Sequence, residues 1–323
     1  MTLADVPFPT CADVEAAHRR VAPHIRRTPI LTSEDLDALA GARLLFKCEN
    51  FQRIGAFKAR GAFNAILSFA EDVAARGVVT HSSGNHALAV ALAARTRGIP
   101  ATIVMPRTAP AAKRDGVARL GAHIVEVEPT LAAREAGAEA IIAETGAAFV
   151  HPYGDPAVIA GQGTAALELL ADAGLPLDVI SCPVGGGGLL GGTCIVAAAM
   201  APQTCVIAAE PALADDASRG FRTGVLQPQV LPVATVCDGL TTAMSPLSFA
   251  IMRAHAHDVV TVSEAAIIEA MKLVFRHLKC VIEPSCAVPL AAILEGGWDA
   301  RGKTVGIILT GGNVDLDRLP WMR

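Results

Sequence analysis

Short apolar segments of strand type alternate along the chain with segments of helical periodicity. The predicted strands are rich in β-branched and other apolar residues and lie at 44–48, 77–81, 101–105, 123–127, 148–151, 179–184, 206–210 and 304–309. The predicted helices lie beside and between them at 14–21, 85–97, 111–120, 131–144, 160–173, 190–200 and 261–278. Such alternation favours parallel sheets covered by helices on both faces, and therefore an α/β fold.

The size of the chain bears on how many sheets it forms. With 323 residues, 52% of them hydrophobic, the chain exceeds the usual size of a single core. The predicted strands cluster on either side of Pro152, so we expect two sheets. Residues 179–209 carry no charge and are long enough to span a bilayer. Because prolines and four consecutive glycines interrupt them, we interpret them as a buried strand, a turn and a buried helix.

Composition argues against several classes of partner. The net charge is −4, no block of Lys or Arg occurs, and aromatic residues make up only 4%. These values do not support binding to nucleic acid or to an anionic membrane. The eight cysteines form no Cys-x-x-Cys pair, which predicts small core side chains in a reducing compartment and a cytoplasmic location. With Asp5 so early and no continuous apolar core, the N-terminus does not predict a secretory signal.

One lysine follows the first predicted strand. Phe57 and Lys58 lie where a helix is expected to begin. Because helix N-termini favour negative charge, an ammonium group there is electrostatically out of place. A desolvated lysine in that position loses its proton easily, and the neutral amine can form a Schiff base. The alternative is a surface lysine on an ordinary strand-helix turn.

Two turns have the composition of anion sites. Residues 82–86 (Ser-Ser-Gly-Asn-His) follow a predicted strand and open a helix, where free backbone N–H groups can bind a carboxylate. A plain helix N-cap is the alternative. The four glycines at 185–188 allow backbone amides to converge on a phosphate. A dinucleotide site with Glu210 as its acidic companion, or a tight helix-sheet contact, remains open for this turn.

Two further segments carry candidate ligands. Thr310-Gly311-Gly312-Asn313 follows the last predicted strand and presents a hydroxyl, or is simply a capped turn. The segment 210–216 holds Glu210 and Asp216 with backbone carbonyls between them. Oxygen ligands of this kind suit Mg²⁺ or Ca²⁺, although a solvated acidic loop explains the composition better.

Several of these motifs together resemble one known family. The segment 51–62 (Phe-Gln-Arg-Ile-Gly-Ala-Phe-Lys-Ala-Arg-Gly-Ala) resembles the lysine motif of the serine/threonine dehydratase and serine racemase family. Matching segments follow in the family's order, at 151–164, 183–189, 238–240, 283–287 and 310–316. Four positions depart from the family pattern: Ala56 and Thr310 replace Ser, Gly154 replaces Asp or Asn, and Cys286 replaces Gly. The Schiff-base lysine is kept, so the departure at Ala56 concerns substrate preference more than cofactor attachment.

The resemblance implies a fold and an assembly. The fold would be that of fold type II pyridoxal-phosphate enzymes, similar to the tryptophan synthase β chain, with two doubly wound parallel-sheet domains. The large cofactor-binding domain would comprise residues 1–74 and 154–323, and the small substrate-binding domain residues 75–153. A homodimer is the family's usual assembly.

The resemblance also implies roles for the cofactor and the metal. Lys58 would hold pyridoxal 5'-phosphate, with Phe57 supporting its ring and Asn85 contacting its phenolic oxygen. Its phosphate would lie on Gly185, Gly186, Gly187 and Gly188. Thr310 would face the pyridine nitrogen, and since a hydroxyl does not keep that nitrogen protonated, elimination is favoured over transamination. Mg²⁺, or Ca²⁺ or Mn²⁺, would bind Glu210, Asp216 and the carbonyl of Ala214.

The substrate-binding residues come from the serine turn. In the family this turn binds the carboxylate of an amino acid, which assigns Ser82, Ser83, Gly84, Asn85 and His86 to the substrate. Ser83 also matches the second proton-transfer residue of the racemases. The expected catalytic residues are therefore Lys58 and Ser83.

The expected reaction is the dehydration of L-serine or L-threonine to a 2-oxo acid and ammonia, with serine racemase side activity. Dehydration of threo-3-hydroxyaspartate to oxaloacetate and ammonia is the first alternative. It needs a further contact for a second carboxylate, for which His151 and Arg134 are candidates, although Arg134 is interpreted as a helix-surface residue. A β-replacement synthase also remains open, as does a non-catalytic protein that binds an amino acid or the cofactor.

Overall fold

A computed structural model describes residues 8–109 and 111–322. The helices are α1 Cys11–Val21, α2 Glu34–Ala40, α3 Lys58–Ser68, α4 Glu71–Ala74, α5 Asn85–Arg97, α6 Ala111–Arg119, α7 Leu131–Thr145, α8 Pro156–Asp172, α9 Gly188–Met200, α10 Asp216–Thr223, α11 Pro246–His255, α12 Glu264–His277 and α13 Pro284–Leu294. The strands are β1 Ile30–Leu31, β2 Arg43–Cys48, β3 Val78–His81, β4 Ala101–Pro106, β5 His123–Val127, β6 Ala148–Phe149, β7 Val179–Pro183, β8 Cys205–Pro211, β9 Asp258–Val262 and β10 Thr304–Leu309. Asp5, which entered the prediction about a secretory signal, lies outside the described residues.

The strands form two sheets. The larger sheet has the order β1-β2-β10-β7-β8-β9, and the smaller has the order β5-β4-β3-β6. Only β1 pairs antiparallel to its neighbour, while the other described pairs are parallel. The predicted α/β class with two parallel sheets is thereby confirmed.

The central strands of the larger sheet read as continuous apolar runs because helices cover both faces. All five residues of β7 are buried, as are the last five of β2 and of β10. In a strand buried on both faces there is no polar face to alternate with, so the sequence pattern is continuous. Lys47 in β2 is the exception, and its ammonium donates to Glu168 at 2.7 Å.

Glycines bring α8 close to both α3 and α9. A Cβ on Gly161 of α8 would lie 2.6 Å from the Cα of Gly61 in α3. Likewise a Cβ on Gly192 of α9 would lie 2.4 Å from the backbone nitrogen of Gly163. The three helices therefore pack backbone to backbone, which fixes the position of α3 and of its first residue, Lys58.

A buried ion cluster lies on the same side of α3. It comprises Lys47, Glu49, Arg60 and Glu168, all at most 2% exposed. The Arg60 guanidinium donates to both oxygens of Glu49, both oxygens of Glu168 and the hydroxyl of Thr164, at 2.7–3.1 Å. Two cations and two anions thus neutralise one another away from solvent, which joins α3 to α8 and to the end of β2.

Some elements differ from the predictions. The helix predicted from residue 261 begins at Glu264, because residues 258–262 form β9 beside β8. Helices α2, α4, α10, α11 and α13 were not predicted. The charge-free run 179–209 is a strand, a turn and a helix, as expected, and no helix among residues 8–109 and 111–322 has the length and apolar character needed to cross a bilayer. All eight cysteines are free thiols, consistent with the prediction that they are not paired.

Candidate active site

A cavity of about 350 Å³ lies at the carboxyl ends of strands from both sheets. Ligands of α/β proteins bind at this edge because loops from several parallel strands meet there. The cavity is lined chiefly by four segments that follow strands: Phe57 and Lys58 after β2, 81–86 after β3, 183–190 after β7, and Thr310 after β10. The expected cofactor and substrate residues are therefore brought together, whereas the proposed metal residues 210, 214 and 216 lie outside the lining.

Lys58 lies in this cavity at the first position of α3. Its ammonium donates to the carbonyl oxygen of Pro152 at 2.8 Å and lies 5.2 Å from the centre of the Phe57 ring. Burial lowers the pKa of Lys58 to about 8, and the charge of Glu283 opposes this only in part. The backbone N–H of Phe57 donates to the carbonyl oxygen of Thr310 at 3.0 Å, so the lysine turn is attached to the end of β10. A substantial neutral fraction of the amine near pH 8 makes it a nucleophile and a base.

The glycine turn after β7 presents backbone N–H groups without side chains. Helix α9 begins at Gly188, and its N-cap, Gly187, has φ of +85° with no capping side chain. On one side of the turn, a Cβ on Gly186 would lie 2.2 Å from Cγ of Tyr153. The packing therefore excludes side chains, while the amides at the positive end of α9 remain available for an anion.

The serine turn after β3 has a similar construction. Helix α5 begins at Asn85, and its N-cap Gly84 provides no side-chain cap. Ser82 and Ser83 line the cavity beside it. His86 is 2% exposed, and its Nε2 lies 3.1 Å from the carbonyl oxygen of Val150. Burial, assisted by the charge of Lys58, lowers the pKa of His86 to about 3, so it acts as a neutral side chain.

Asn85 is held by two side chains from distant segments. Its amide nitrogen donates to both carboxyl oxygens of Glu283, at 3.0 and 3.1 Å, and its oxygen accepts from Asn313 at 2.8 Å. Burial raises the pKa of Glu283 to about 7, and the negative charge of Asp238 adds to the rise. Glu283 belongs to the matching segment 283–287, but the sequence assigns it no role, because its contact with Asn85 spans 198 positions.

Thr310 offers an unpaired hydroxyl. Thr310 lines the cavity, and its buried Oγ1 makes no hydrogen bond within the described residues. A buried hydroxyl without a partner is costly, and a hydrogen-bonding group on a ligand removes that cost. Together with the glycine turn and Lys58, this orphaned hydroxyl makes the cavity a good fit for an aromatic aldehyde that carries a phosphate and a ring nitrogen.

Two cationic side chains line the cavity from the helices of the smaller sheet. Arg134, interpreted from the sequence as a helix-surface residue, lies in the first turn of α7 and also lines the cavity. Within the described chain its guanidinium donates only to the carbonyl oxygen of Thr130, at 3.4 Å. Lys113 of α6 donates to Asp238 across the cavity at 2.6 Å. Neither position is evident from local sequence, because the face that a helix turns to the cavity depends on tertiary packing.

His151, the second candidate for a contact with a further carboxylate, is not cationic. Its Nδ1 accepts from the backbone N–H groups of Tyr153 and Gly154, at 3.2 and 2.8 Å. Burial lowers its pKa to about 4, with further lowering by the charges of His81 and Lys58. His151 therefore holds the turn at 153–154 and contributes no positive charge.

The carboxylates of the proposed metal site lie at the start of α10. Glu210 accepts from the backbone N–H groups of Ala217 and Ser218. Burial raises the pKa of Glu210 to about 9 and that of Asp216 to about 6, and the charge of Asp216 adds to the rise at Glu210. No cluster of three or more His, Cys, Asp or Glu side chains suited to a metal occurs in the part of the chain that is described. Two buried carboxyl groups and a carbonyl are nevertheless the donors that a hard cation takes.

Comparison with known proteins places these features in context. A family model for pyridoxal-phosphate dependent enzymes matches residues 21–311. The β-hydroxyaspartate dehydratase of Paracoccus denitrificans (strain Pd 1222) is 53% identical over 314 residues, 97% of this chain and 99% of that protein. Serine racemase of Arabidopsis thaliana is 46% identical over 312 residues, 95% of this chain and 93% of that protein. The crystal structure of a threonine deaminase from T.th. is 44% identical, with a TM-score of 0.90 over 95% of this chain and 99% of that one.

Proposed function

Since the chain belongs to the family of pyridoxal-phosphate-dependent enzymes, we propose that its preferred substrate is threo-3-hydroxyaspartate, which it converts to oxaloacetate and ammonia. The protein is an ammonia-lyase that acts on a β-hydroxy amino acid. Serine and threonine share the reacting Cα–H and β-hydroxyl groups, so we expect them to react more slowly. From the sequence alone, dehydration of L-serine or L-threonine is the expected reaction.

Pyridoxal phosphate, when bound, supplies the electron sink that makes the Cα–H bond acidic and allows the β-hydroxyl to leave. Lys58, Thr310 and the amides of Gly185–Gly188 are the groups in the cavity whose chemistry fits it. Phe57 forms part of the same wall, and Asn85 presents an amide whose orientation Glu283 and Asn313 fix.

Proton transfer and binding of the substrate carboxylate are carried out by residues of the chain itself. The neutral amine of Lys58 takes the proton from the substrate Cα, which its lowered pKa favours. The free amides at the start of α5, with Ser82 and Ser83, bind the α-carboxylate. Ser83 is the second group at which a Cα proton can be exchanged, which supports a racemase side activity.

The observation that carries the choice of substrate is Arg134. A 3-hydroxyaspartate differs from serine by one carboxylate, and a buried carboxylate needs a cation or hydrogen-bond donors. Arg134 lines the cavity without a carboxylate partner in the described chain, and Lys113 lies on the same side. Serine and threonine have no group that would use this charge.

The experiment compares ammonia release from threo-3-hydroxyaspartate, L-serine and L-threonine. We expect the highest kcat/KM for threo-3-hydroxyaspartate. In Arg134→Leu this value falls about 10- to 100-fold, the range of a charge-assisted hydrogen bond, and serine turnover changes much less. Arg114→Leu is the matched control, since Arg114 pairs with Glu126 at the surface. A wild-type enzyme that prefers serine would refute the choice of substrate and leave the lyase activity intact.

We further propose a divalent cation, Mg²⁺, Ca²⁺ or Mn²⁺, on Glu210, Asp216 and the carbonyl of Ala214. The raised pKa values of the two carboxyl groups support it, because a cation would stabilise their charged forms. The cation would stabilise the start of α10 and take no part in the reaction. Isothermal titration with Mg²⁺ tests this, and Glu210→Gln should abolish the heat of binding.

We also propose a cytoplasmic homodimer. The eight free thiols are compatible with a reducing compartment. Exposed apolar side chains at Phe51 and Val281 support a contact with a second copy, since Asn50 and the Val281 carbonyl bring the two segments together. Sedimentation velocity of wild type and Val281→Asp would test the assembly, because a buried charge at this contact should dissociate it.

A further inference from the structure

Tyr153, the single tyrosine of the chain, lines the cavity. It follows Pro152 in the turn between β6 and α8. Its backbone N–H donates to His151 at 3.2 Å, and its carbonyl oxygen accepts from the hydroxyl of Ser248 at 3.1 Å. The turn is thus attached to both neighbouring segments, and the ring has little freedom to move away from the cavity.

The ring is also fixed by its packing. Its centre lies 4.7 Å from that of His151, with the two planes at 87°. Its Cγ end lies against Gly186, where a Cβ would approach to 2.2 Å. A rigid ring that is packed on both sides presents its hydroxyl group at a defined place, which reduces the entropy lost when it binds a ligand.

The surroundings of the hydroxyl identify what it can bind. Burial raises the pKa of Tyr153, whereas the neighbouring Thr242 side chain and the charge of Arg134 lower it. The charge of Glu135, next to Arg134, acts in the opposite direction. Within the described residues the phenolic oxygen has no hydrogen bond to another side chain or to the backbone, so its O–H remains available as a donor. It stays protonated at neutral pH and lies in the same part of the cavity as an unpaired guanidinium.

We propose that the Tyr153 hydroxyl donates a hydrogen bond to the side-chain carboxylate of the substrate and makes the enzyme specific for a 3-hydroxy dicarboxylic amino acid. The inference rests on the proposed function, because only such a substrate carries a second carboxylate. Arg134 supplies the positive charge that attracts this carboxylate, and the Tyr153 hydroxyl supplies a hydrogen bond of defined direction. A phenylalanine ring, which lacks only the hydroxyl, leaves the packing intact, so the role can be separated from the structural one.

The first test is Tyr153→Phe in the cofactor-loaded enzyme. We expect kcat/KM for threo-3-hydroxyaspartate, divided by that for L-serine, to fall about 10- to 100-fold, chiefly through KM for the dicarboxylate. A loss shared equally by both substrates would assign Tyr153 a structural role and overturn the proposal. An unchanged ratio would also overturn it.

The second test observes the residue directly. Because the chain has one tyrosine, labelling with [¹³Cζ]tyrosine gives a single NMR resonance for the holoenzyme. We expect succinate, a dicarboxylate that lacks the amino group, to shift this resonance, and butyrate, its monocarboxylate counterpart, to leave it in place. Saturating succinate without a shift would overturn the proposal.

The two proposals fail in different ways. If wild type prefers serine, the proposed substrate is wrong whatever Tyr153 does. If wild type prefers threo-3-hydroxyaspartate and Tyr153→Phe keeps the same ratio, only the role of Tyr153 is wrong. Arg134→Leu, which should lower the same ratio while the phenolic O–H is kept, distinguishes loss of charge from loss of the phenolic donor.

Discussion

Lys58 and Arg60 lie two positions apart on α3 and have opposite surroundings. Arg60 donates all five of its N–H groups to Glu49, Glu168 and Thr164, and these carboxylates raise its pKa despite its burial. Lys58 donates to one carbonyl oxygen, and burial lowers its pKa to about 8. One helix therefore carries a fully paired cation on its packed side and a poorly paired one on its cavity side.

This difference in pairing separates a residue that stabilises the helix from one that is free to react. A paired, buried charge fixes the helix but has no capacity left for a ligand. An unpaired one reduces stability and remains free to react. Carboxylates show the same contrast, since Arg60 and Lys47 lower the pKa of Glu168 to about 2 against the effect of burial, whereas burial raises that of Glu210 to about 9.

The largest expected effect is on the cavity side. Lys58→Ala should lower the rate of ammonia release by about 10⁴-fold or more, since it removes both the base and the point of cofactor attachment. Borohydride should fix a pyridoxyl group on wild type at residue 58, and mass spectrometry should find none on the variant. The free energy of unfolding of the cofactor-free protein should stay the same or rise, because a desolvated amine is lost.

Lys303→Ala, at an exposed position, is the control for this experiment and should behave as wild type. If Lys58→Ala retained turnover, Lys58 would not be the reactive residue of α3, and its contrast with Arg60 would be wrong. A marked loss of stability would show that Lys58 is structural in the same sense as Arg60.

On the packed side of α3, substitution of Arg60 should lower the stability of the protein. Arg60→Met keeps the length of the side chain but leaves Glu49 with the hydroxyl of Thr28 as its partner and Glu168 with Lys47, so it should lower the free energy of unfolding by about 3–5 kcal/mol. Urea denaturation of the cofactor-free protein measures this. Arg301→Met is the control, since Arg301 pairs with Asp299 at an exposed position, and it should cost less than about 1 kcal/mol. A loss at Arg60 no larger than that at Arg301 would contradict the prediction.

The fold was more predictable from sequence in its strands than in its fully buried helices. Strands such as 44–48 and 304–309 were recognised because burial on both faces makes them continuously apolar. Helix α13 was missed for the same reason: ten of its eleven residues are buried, so it has no polar face, and it contains Pro289. Amphipathic periodicity reveals only helices that have a solvent face.

The site was predictable where local composition determines the chemistry. Glycine and serine turns and a lysine at a helix start are local signals, and all of them line the cavity. Tyr153 and Glu283 were assigned no function, and Arg134 was named as a candidate contact for a second carboxylate but interpreted as a helix-surface residue. Their contribution depends on contacts between segments far apart in the chain, such as Asn85 with Glu283, and no local pattern records those contacts.

The glycine turn at 185–188, like α3, has one side that is packed and one side that is open to the cavity. Gly186→Ala places a Cβ 2.2 Å from the Tyr153 ring, so we expect a loss of about 1–3 kcal/mol in the free energy of unfolding and weaker binding of pyridoxal phosphate. Gly191→Ala is the matched control in the same region, because its Cβ would meet Ile159 at an ordinary 3.4 Å. As an alanine in a helix, it should be neutral or stabilising by up to about 1 kcal/mol. Equal effects of the two substitutions would contradict this account of the turn.

The last effect concerns the two buried carboxyl groups at the start of α10, whose pKa values are raised. Glu210 has a pKa of about 9 in the folded protein and 4.5 as its ordinary value, so the folded state binds more protons between these two pH values. Its contribution to stability is therefore present below about pH 4.5 and is lost as the pH rises through about 9. Between pH 6 and 8, without divalent cations, the free energy of unfolding should fall by about 2–3 kcal/mol through this group.

Two comparisons separate the pH dependence of stability that is due to Glu210 from that of the other titrating groups. The quantity compared is the slope of the free energy of unfolding against pH. Glu210→Gln should flatten it, because the amide does not titrate, and Glu168, whose pKa is lowered by Arg60 and Lys47, should contribute nothing over this range. Millimolar Mg²⁺ should flatten it in wild type by stabilising the charged form, and should leave Glu210→Gln unaffected. If Mg²⁺ acted equally on both proteins, the cation would bind elsewhere, and the buried carboxyl groups at α10 would need another explanation.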